Sequence, residues 1–213
     1  MKIESPSARQ SRRTGAVGSP LERLRERLHA AIEQSLIPLN DRLTRAGVRP
    51  DHITVIGTAI SLGAPMLLIA ERPVLAGLVW LGGSAFDLLD GALARRQNRA
   101  SPAGAFLDST LDRVSEGALF AGITYAFATA GEPLNAALSV LALLGSFLIS
   151  YTRARAEALG TTCTVGLATR AERVILLGLG LCFEVLAPVI YALVLLGAIS
   201  TLQRIHHALN RLR

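Results

Sequence analysis

Aromatic residues are scarce in this chain of 213 residues: Phe, Tyr and Trp make up 5%, with a single Trp. A protein that grips nucleic acid by stacking needs aromatics interleaved with its basic residues. No stretch here has them, so nucleic acid is not an expected partner. Cysteine is limited to Cys163 and Cys182, which lack the close spacing of a metal-ligand pair. They read as small apolar fillers. Lysine is nearly missing: Lys2 is the only one, and Arg supplies 21 of the 22 basic residues. The first residues are polar and lack the apolar run of a signal peptide, so none is expected. No internal repeat is visible.

What is abundant is apolar. Hydrophobic residues make up 51% of the chain, and the mean hydropathy is +0.42. Alongside 18% charged residues, that value requires charge and apolar residues to be segregated into blocks. Six apolar segments appear, at about 52–70, 74–95, 104–130, 134–156, 171–187 and 189–207. Each is near the roughly 20 residues that a bilayer requires, the fifth being the shortest. The breaks fall at Glu71-Arg72-Pro73, Asn98 to Pro102, Gly131-Glu132-Pro133, Gly160 to Thr169, and Pro188.

Ahead of these segments, residues 1–19 are rich in Ser, Arg and Gly and carry no periodicity, as in a disordered tail. Over 20–46, Leu21, Leu24, Leu28, Ile32, Leu36 and Leu39 recur at helical spacing, with the charges mostly off that stripe. This predicts an amphipathic helix on the membrane surface. With the N-terminus on the cytoplasmic side, the outer loops hold only Arg72, a strong positive-inside bias. The expected fold is an all-α integral membrane protein: six transmembrane helices preceded by a cytoplasmic-side surface helix, forming one membrane domain over 20–213.

Four carboxylates interrupt this apolar background. Asp87 and Asp90 are spaced i,i+3, and Asp108 and Asp112 are spaced i,i+4, so each pair shares one helical face. One Asp at a bilayer centre costs roughly 2.5–3.5 kcal/mol, so four uncompensated ones would cost on the order of 10 kcal/mol. Positive charge must sit among them, and oxygen ligands suit Mg²⁺ or Mn²⁺. The two segments would be antiparallel neighbours with their carboxylates at similar depth, near the cytoplasmic face. Gly91 and Gly104 permit close approach of a backbone or a flat ligand. Arg95, about 80° round the helix from Asp87, could hold a phosphate. Carboxylates, divalent ions and an Arg together describe a phosphoryl-transfer site.

The full pattern is Asp87-x2-Asp90-Gly91-x2-Ala94-Arg95-x8-Gly104-x3-Asp108-x3-Asp112. It resembles the signature of the CDP-alcohol phosphotransferase family, with every fixed position present. Pro50-Asp51-His52-Ile53-Thr54-x2-Gly57 is similar to that family's start of its first span, with Asp where Asn is usual. The resemblance covers about 20–210. It implies a CDP-linked lipid donor, CDP-diacylglycerol or CDP-archaeol, whose phosphorus is attacked by an alcohol as CMP leaves. It also implies that Asp87, Asp90 and Asp108 bridge two divalent cations. Asp112 would ligate one of them and act as general base. Asp87, Asp90, Gly91, Ala94, Arg95, Ser101, Gly104 and Asp108 would contact the CDP-lipid. A homodimer is the family's expected state.

The acceptor is read from arginines at one rim: Arg153, Arg155, Arg170, Arg173 and Arg204. Guanidiniums suit a phosphate dianion, and Arg153, Arg173 and Arg204 are the favoured ligands. The runs Ser150 to Glu157 and Arg170-Ala-Glu172-Arg173 resemble the branch that uses inositol phosphate and makes phosphatidylinositol phosphate. That branch often has Lys at the position of Arg153, and a basic residue near Ser101-Pro102. Glycerol 3-phosphate is the alternative acceptor. A reading of another class is an ion or proton carrier, since membrane carboxylates often serve ions. Glu116, one turn beyond Asp112, is expected either to back Asp112 or to pair with Arg113.

Overall fold

The computed structural model of the chain describes residues 34–213. The expected tail over 1–19 and the first part of the expected surface helix lie outside the described residues. Among the described residues every regular element is helical: α1 over 34–45, α2 Pro50–Ser61, α3 Gly63–Ile69, α4 Pro73–Arg96, α5 Pro102–Thr129, α6 Pro133–Ala158, α7 Arg170–Cys182 and α8 Leu186–Leu212. Helices α2 and α3 join through Leu62 into one apolar stretch, Pro50–Ile69.

Proline opens four of these helices, Pro50, Pro73, Pro102 and Pro133 standing in the first turn. There the missing N–H costs nothing and the fixed φ is already helical. Helix α4 stops at Asn98, whose φ of 52° is left-handed. Arg99 N–H then donates back to Ala94 O, and Asn98 N–H to Arg95 O. This C-terminal motif turns the chain within a few residues. Ser101 caps the next helix by accepting from Gly104 N–H at 3.0 Å. Helix α7 opens on a capping box, Thr169 N–H donating to Glu172 Oε2 at 2.8 Å.

Among the described residues, four helical stretches are long and apolar enough to cross a membrane: Pro50–Ile69, Pro73–Arg96, Pro133–Ala158 and Leu186–Leu212. The other two predicted spans depart from that pattern for separate reasons. Helix α5 has 28 residues but spreads Asp108, Asp112, Arg113 and Glu116 from its second turn to its middle. Helix α7 has 13 residues, about 20 Å at 1.5 Å per residue, short of a core of about 30 Å.

The helices close into a ring. Going round it, α2 and α3 pack on α4, α4 on α7, α7 on α8, α8 on α6, α6 on α5, and α5 back on α2 and α3. Helices α3 to α8 send side chains into one buried core, including Leu68 of α3, Trp80 of α4, Phe120 of α5, Ala142 of α6, Leu177 of α7 and Ile190 of α8. Trp80 Nε1–H donates to Val174 O at 3.1 Å, so the single Trp is a packing residue that ties α4 to α7. Helices α4 and α5 are consecutive in sequence and bring their carboxylates together as expected, but the α2–α3 stretch packs against both and they do not pack closely on each other. Glycine permits the tightest approach: a Cβ on Gly57 would lie 2.6 Å from Phe86 Cβ, and one on Gly83 would lie 2.9 Å from Gly57 O.

Candidate active site

The acidic residues meet in the space between α4 and α5. Asp87, Asp90 and Asp108 each present one carboxylate oxygen, all within 4.8 Å of one another. Oxygens that share a cation at ligand distances of about 2.0–2.6 Å lie at most about 4–5 Å apart, so these three fit one ion. Electrostatics argues the same way. Two like unit charges about 4 Å apart repel by about 4 kcal/mol at an effective dielectric of about 20, and here three are gathered. Asp108 Oδ1 is buried with no hydrogen-bond partner, which a ligated cation would supply. The donor set therefore fits Mg²⁺ or Mn²⁺.

The fourth carboxylate is held differently. Arg170, the first residue of α7, reaches between Asp87 and Asp112. Its Nη1–H donates to Asp87 Oδ2 at 2.6 Å, and its Nη2 lies 2.5 Å from Asp112 Oδ1. Arg113 Nη1 stands 3.8 Å from Asp112 Oδ2. Asp90 is buried, and Thr54 of α2 donates its hydroxyl to Asp90 Oδ2 at 2.5 Å. The α2–α3 wedge thus separates the two acidic helices and also orients one of their carboxylates.

A cavity of about 200 Å³ opens beside this cluster. Asp90, Gly91, Ala94, Arg95, Ser101, Gly104 and Asp108 line it, so the structure brings together every residue expected to contact a CDP-lipid except Asp87. Pro50, Asp51 and Thr54 of α2 and Arg99 of the α4–α5 connection also line it. These four were not among the expected ligands. The signal for the first three lay in the Pro50-Asp51-x2-Thr54 run, whose role as the start of a span hid its place at the cavity. Arg99 carried no signal beyond its charge. A Cβ on Gly104 would stand 3.3 Å from Ser101 Oγ and 3.6 Å from Asp51 Oδ1, crowding this wall. A larger cavity of about 430 Å³ at the C-terminal end of α8 is lined by Val165, Gln203, His206, His207, Asn210 and Arg211. None of the four aspartates lines it.

The rim arginines divide into groups. Arg153 is exposed and pairs with Glu157 one turn on, at 2.8 Å. Arg155 is exposed near the end of α6. Arg173 is buried, its Nε 3.1 Å from Glu116 Oε1 and its Nη2 3.4 Å from Oε2. Ser146 also donates to Glu116 Oε1, at 2.5 Å. Glu116 therefore neither backs Asp112 nor pairs with Arg113, as sequence spacing suggests. Its partners stand on α6 and α7. Arg204 is buried and donates to Val165 O at 2.8 Å and to Ile149 O at 2.5 Å. Arg170 is engaged by the aspartates instead.

Comparison with known proteins adds an independent line. Residues 48–203 match the family model for CDP-alcohol phosphatidyltransferase. An archaetidylinositol phosphate synthase of Pyrococcus horikoshii is 34% identical over 187 residues, covering 87% of this chain and 97% of that protein. A phosphatidylinositol phosphate synthase of Mycobacteroides abscessus is 37% identical over 180 residues, covering 79% and 81%. The crystal structure of the Mycobacterium tuberculosis phosphatidylinositol phosphate synthase with CDP-DAG bound superposes with a TM-score of 0.74 at 30% identity, over 80% of this chain and 92% of that one. The same enzyme in complex with manganese and citrate gives 0.75 at 31% identity, covering 80% and 87%.

Proposed function

The chain belongs to the CDP-alcohol phosphatidyltransferase family, and on that premise we propose that it transfers the phosphatidyl or archaetidyl group of a CDP-linked lipid to a hydroxyl of inositol phosphate, releasing CMP. The observation that carries this reading is the placement of the Asp87, Asp90 and Asp108 oxygens, within 4.8 Å of one another, beside the cavity lined by Gly91, Ala94, Arg95 and Gly104. A divalent cation bound there, and a second toward Asp112, would neutralise the diphosphate and stabilise the departing CMP phosphate. The Mn²⁺ complex of the mycobacterial relative supports Mn²⁺, and Mg²⁺ has the same preference for oxygen.

Each side chain then has a task. Gly91 and Gly104 leave room for the flat nucleotide against the backbone. Arg95 and Arg99 neutralise phosphate from the cavity wall. Asp112 accepts the proton from the acceptor hydroxyl as that oxygen bonds to the lipid-side phosphorus. Arg153, Arg173 and Arg204 receive the acceptor's phosphate: three guanidiniums there face two carboxylates, Glu116 and Glu157, leaving positive charge for a dianion. Arg155 supplements them at the rim. The two relatives named for inositol phosphate products support that acceptor over glycerol 3-phosphate. The carrier reading lacks a path, because beyond the buried Glu116–Arg173 pair the core is apolar, built of Trp80, Leu119, Phe120 and Leu177.

We place all six helical stretches in the bilayer, with α5 and α7 admitted by the partners of their charges inside the ring. The α1 helix lies on the cytoplasmic surface, anchored by Asp41 to Arg96 at 2.5 Å, and Gln97 Nε2 donates to Val48 O just beyond its end at 2.9 Å. The active site faces the cytoplasm, and the enzyme works as a homodimer. The deciding experiment follows labelled CMP release from CDP-diacylglycerol with Mn²⁺ or Mg²⁺. The expected result is release with inositol phosphate and little with glycerol 3-phosphate. The reverse preference reassigns the acceptor, and no release with either rejects the proposed activity.

A further inference from the structure

Arg170 belongs by sequence with the rim arginines expected to bind the acceptor, yet its guanidinium is engaged elsewhere. It lies 2.6 Å from Asp87 Oδ2 and 2.5 Å from Asp112 Oδ1, and neither carboxylate is more than 17% exposed. Helices α5 and α7 do not pack closely, so this side chain spans a real gap. The capping box at Thr169 and Glu172 fixes the first turn of α7, and the Glu116–Arg173 pair one turn deeper holds the same two helices. Arg170 is therefore aimed, with both forks of a planar donor used.

The cluster thus has two positions for positive charge. One lies among Asp87, Asp90 and Asp108. The other lies between Asp87 and Asp112, and the guanidinium fills it. We propose that Arg170 is a positioning residue that serves as the resting counter-ion of Asp87 and Asp112, and that any cation bridging those two must displace it. Arg170 then makes no contact with the acceptor. The two divalent ions bind unequally, the first to the aspartate trio and the second in exchange for the guanidinium. This inference rests on the two-cation reading proposed above.

The test is a titration of purified, detergent-solubilised protein with Mn²⁺ alone, free Mn²⁺ being read by electron paramagnetic resonance, together with thermal unfolding before and after Mn²⁺ addition. In Arg170→Gln the second Mn²⁺ should bind about tenfold tighter than in the wild type, the strength of a lost charge-assisted bond. The first should change by less than about threefold. The metal-free variant should melt lower than the wild type, and Mn²⁺ should raise its melting temperature by more. Arg170→Lys, which keeps the charge but cannot span both carboxylates, should fall between the two. The acceptor KM should stay within about threefold in either variant. Unchanged second-ion affinity, or a steep rise in acceptor KM with Mn²⁺ binding intact, overturns the proposal. No Mn²⁺ bound by the wild type rejects the two-cation reading and the displacement together, while a lower metal-free melting temperature in Arg170→Gln would still support Arg170 as the counter-ion.

Discussion

At the scale of the residue, the four aspartates are not equivalent. Asp112 stands outside the trio whose oxygens converge and is held by Arg170. Asp112→Asn should therefore leave the first Mn²⁺ affinity within a few-fold while lowering kcat by about 10²–10⁴, the range of a lost general base. Mn²⁺ titration and CMP release on one preparation would check both halves, and near-normal turnover would remove Asp112 from that role. Glu116 shows where residue-level reading of sequence reaches its limit. Local spacing offers Arg113 as its partner, whereas the actual partner, Arg173, lies 57 residues on. The aspartate motif was legible because all its members lie on two helical faces close in sequence. The Glu116 network was not, because it depends on which helices the ring brings together. Both Glu116 and Arg173 are nearly fully buried, so Glu116→Ala, which strands one charge, should destabilise by about 3–5 kcal/mol. A Glu116→Leu, Arg173→Met double variant should regain most of that loss in thermal unfolding.

At the scale of the element, two adjacent glycines in α4 make opposite predictions. A Cβ on Gly83 would stand 2.8 Å from Ser61 N and 2.9 Å from Gly57 O, whereas one on Gly82 meets nothing within 4 Å. Gly83→Ala should push α2 from α4, lowering the melting temperature and disturbing the Thr54–Asp90 bond. Gly82→Ala should be neutral or gain about 0.5–1 kcal/mol from helix propensity. Equal effects at both positions would mean that α2 and α4 do not approach so closely. The boundaries of these elements were nearly all readable: helices predicted at 74–95 and 134–156 are found at Pro73–Arg96 and Pro133–Ala158, because proline starts and glycine or Asn turns punctuate them. Helix α7 ends sooner than its apolar run predicted, at Cys182, where Glu184 takes a left-handed φ of 56°.

At the scale of the whole molecule, hydropathy foretold an all-helical membrane chain but not the order of the ring. Apolar faces look alike to lipid and to a neighbouring helix, so pattern alone does not say that α2 and α3 stand between α4 and α5. The close contacts at Gly57 and Gly83 encode that choice. Because the trio joins α4 to α5 across the wedge, cation binding should stabilise the ring as a unit. At about 100 times Kd the gain is about 2.7 kcal/mol. Chelation should lower the melting temperature, Mn²⁺ should restore it, and Asp90→Asn should abolish the response.

Arg170 follows Asp87 by 83 residues, which gives the site a history in synthesis. A ribosome that has translated α4 and α5 has made the whole acidic cluster before it reaches Arg170. The acidic cluster therefore gains its guanidinium only once the first turn of α7 has joined the fold.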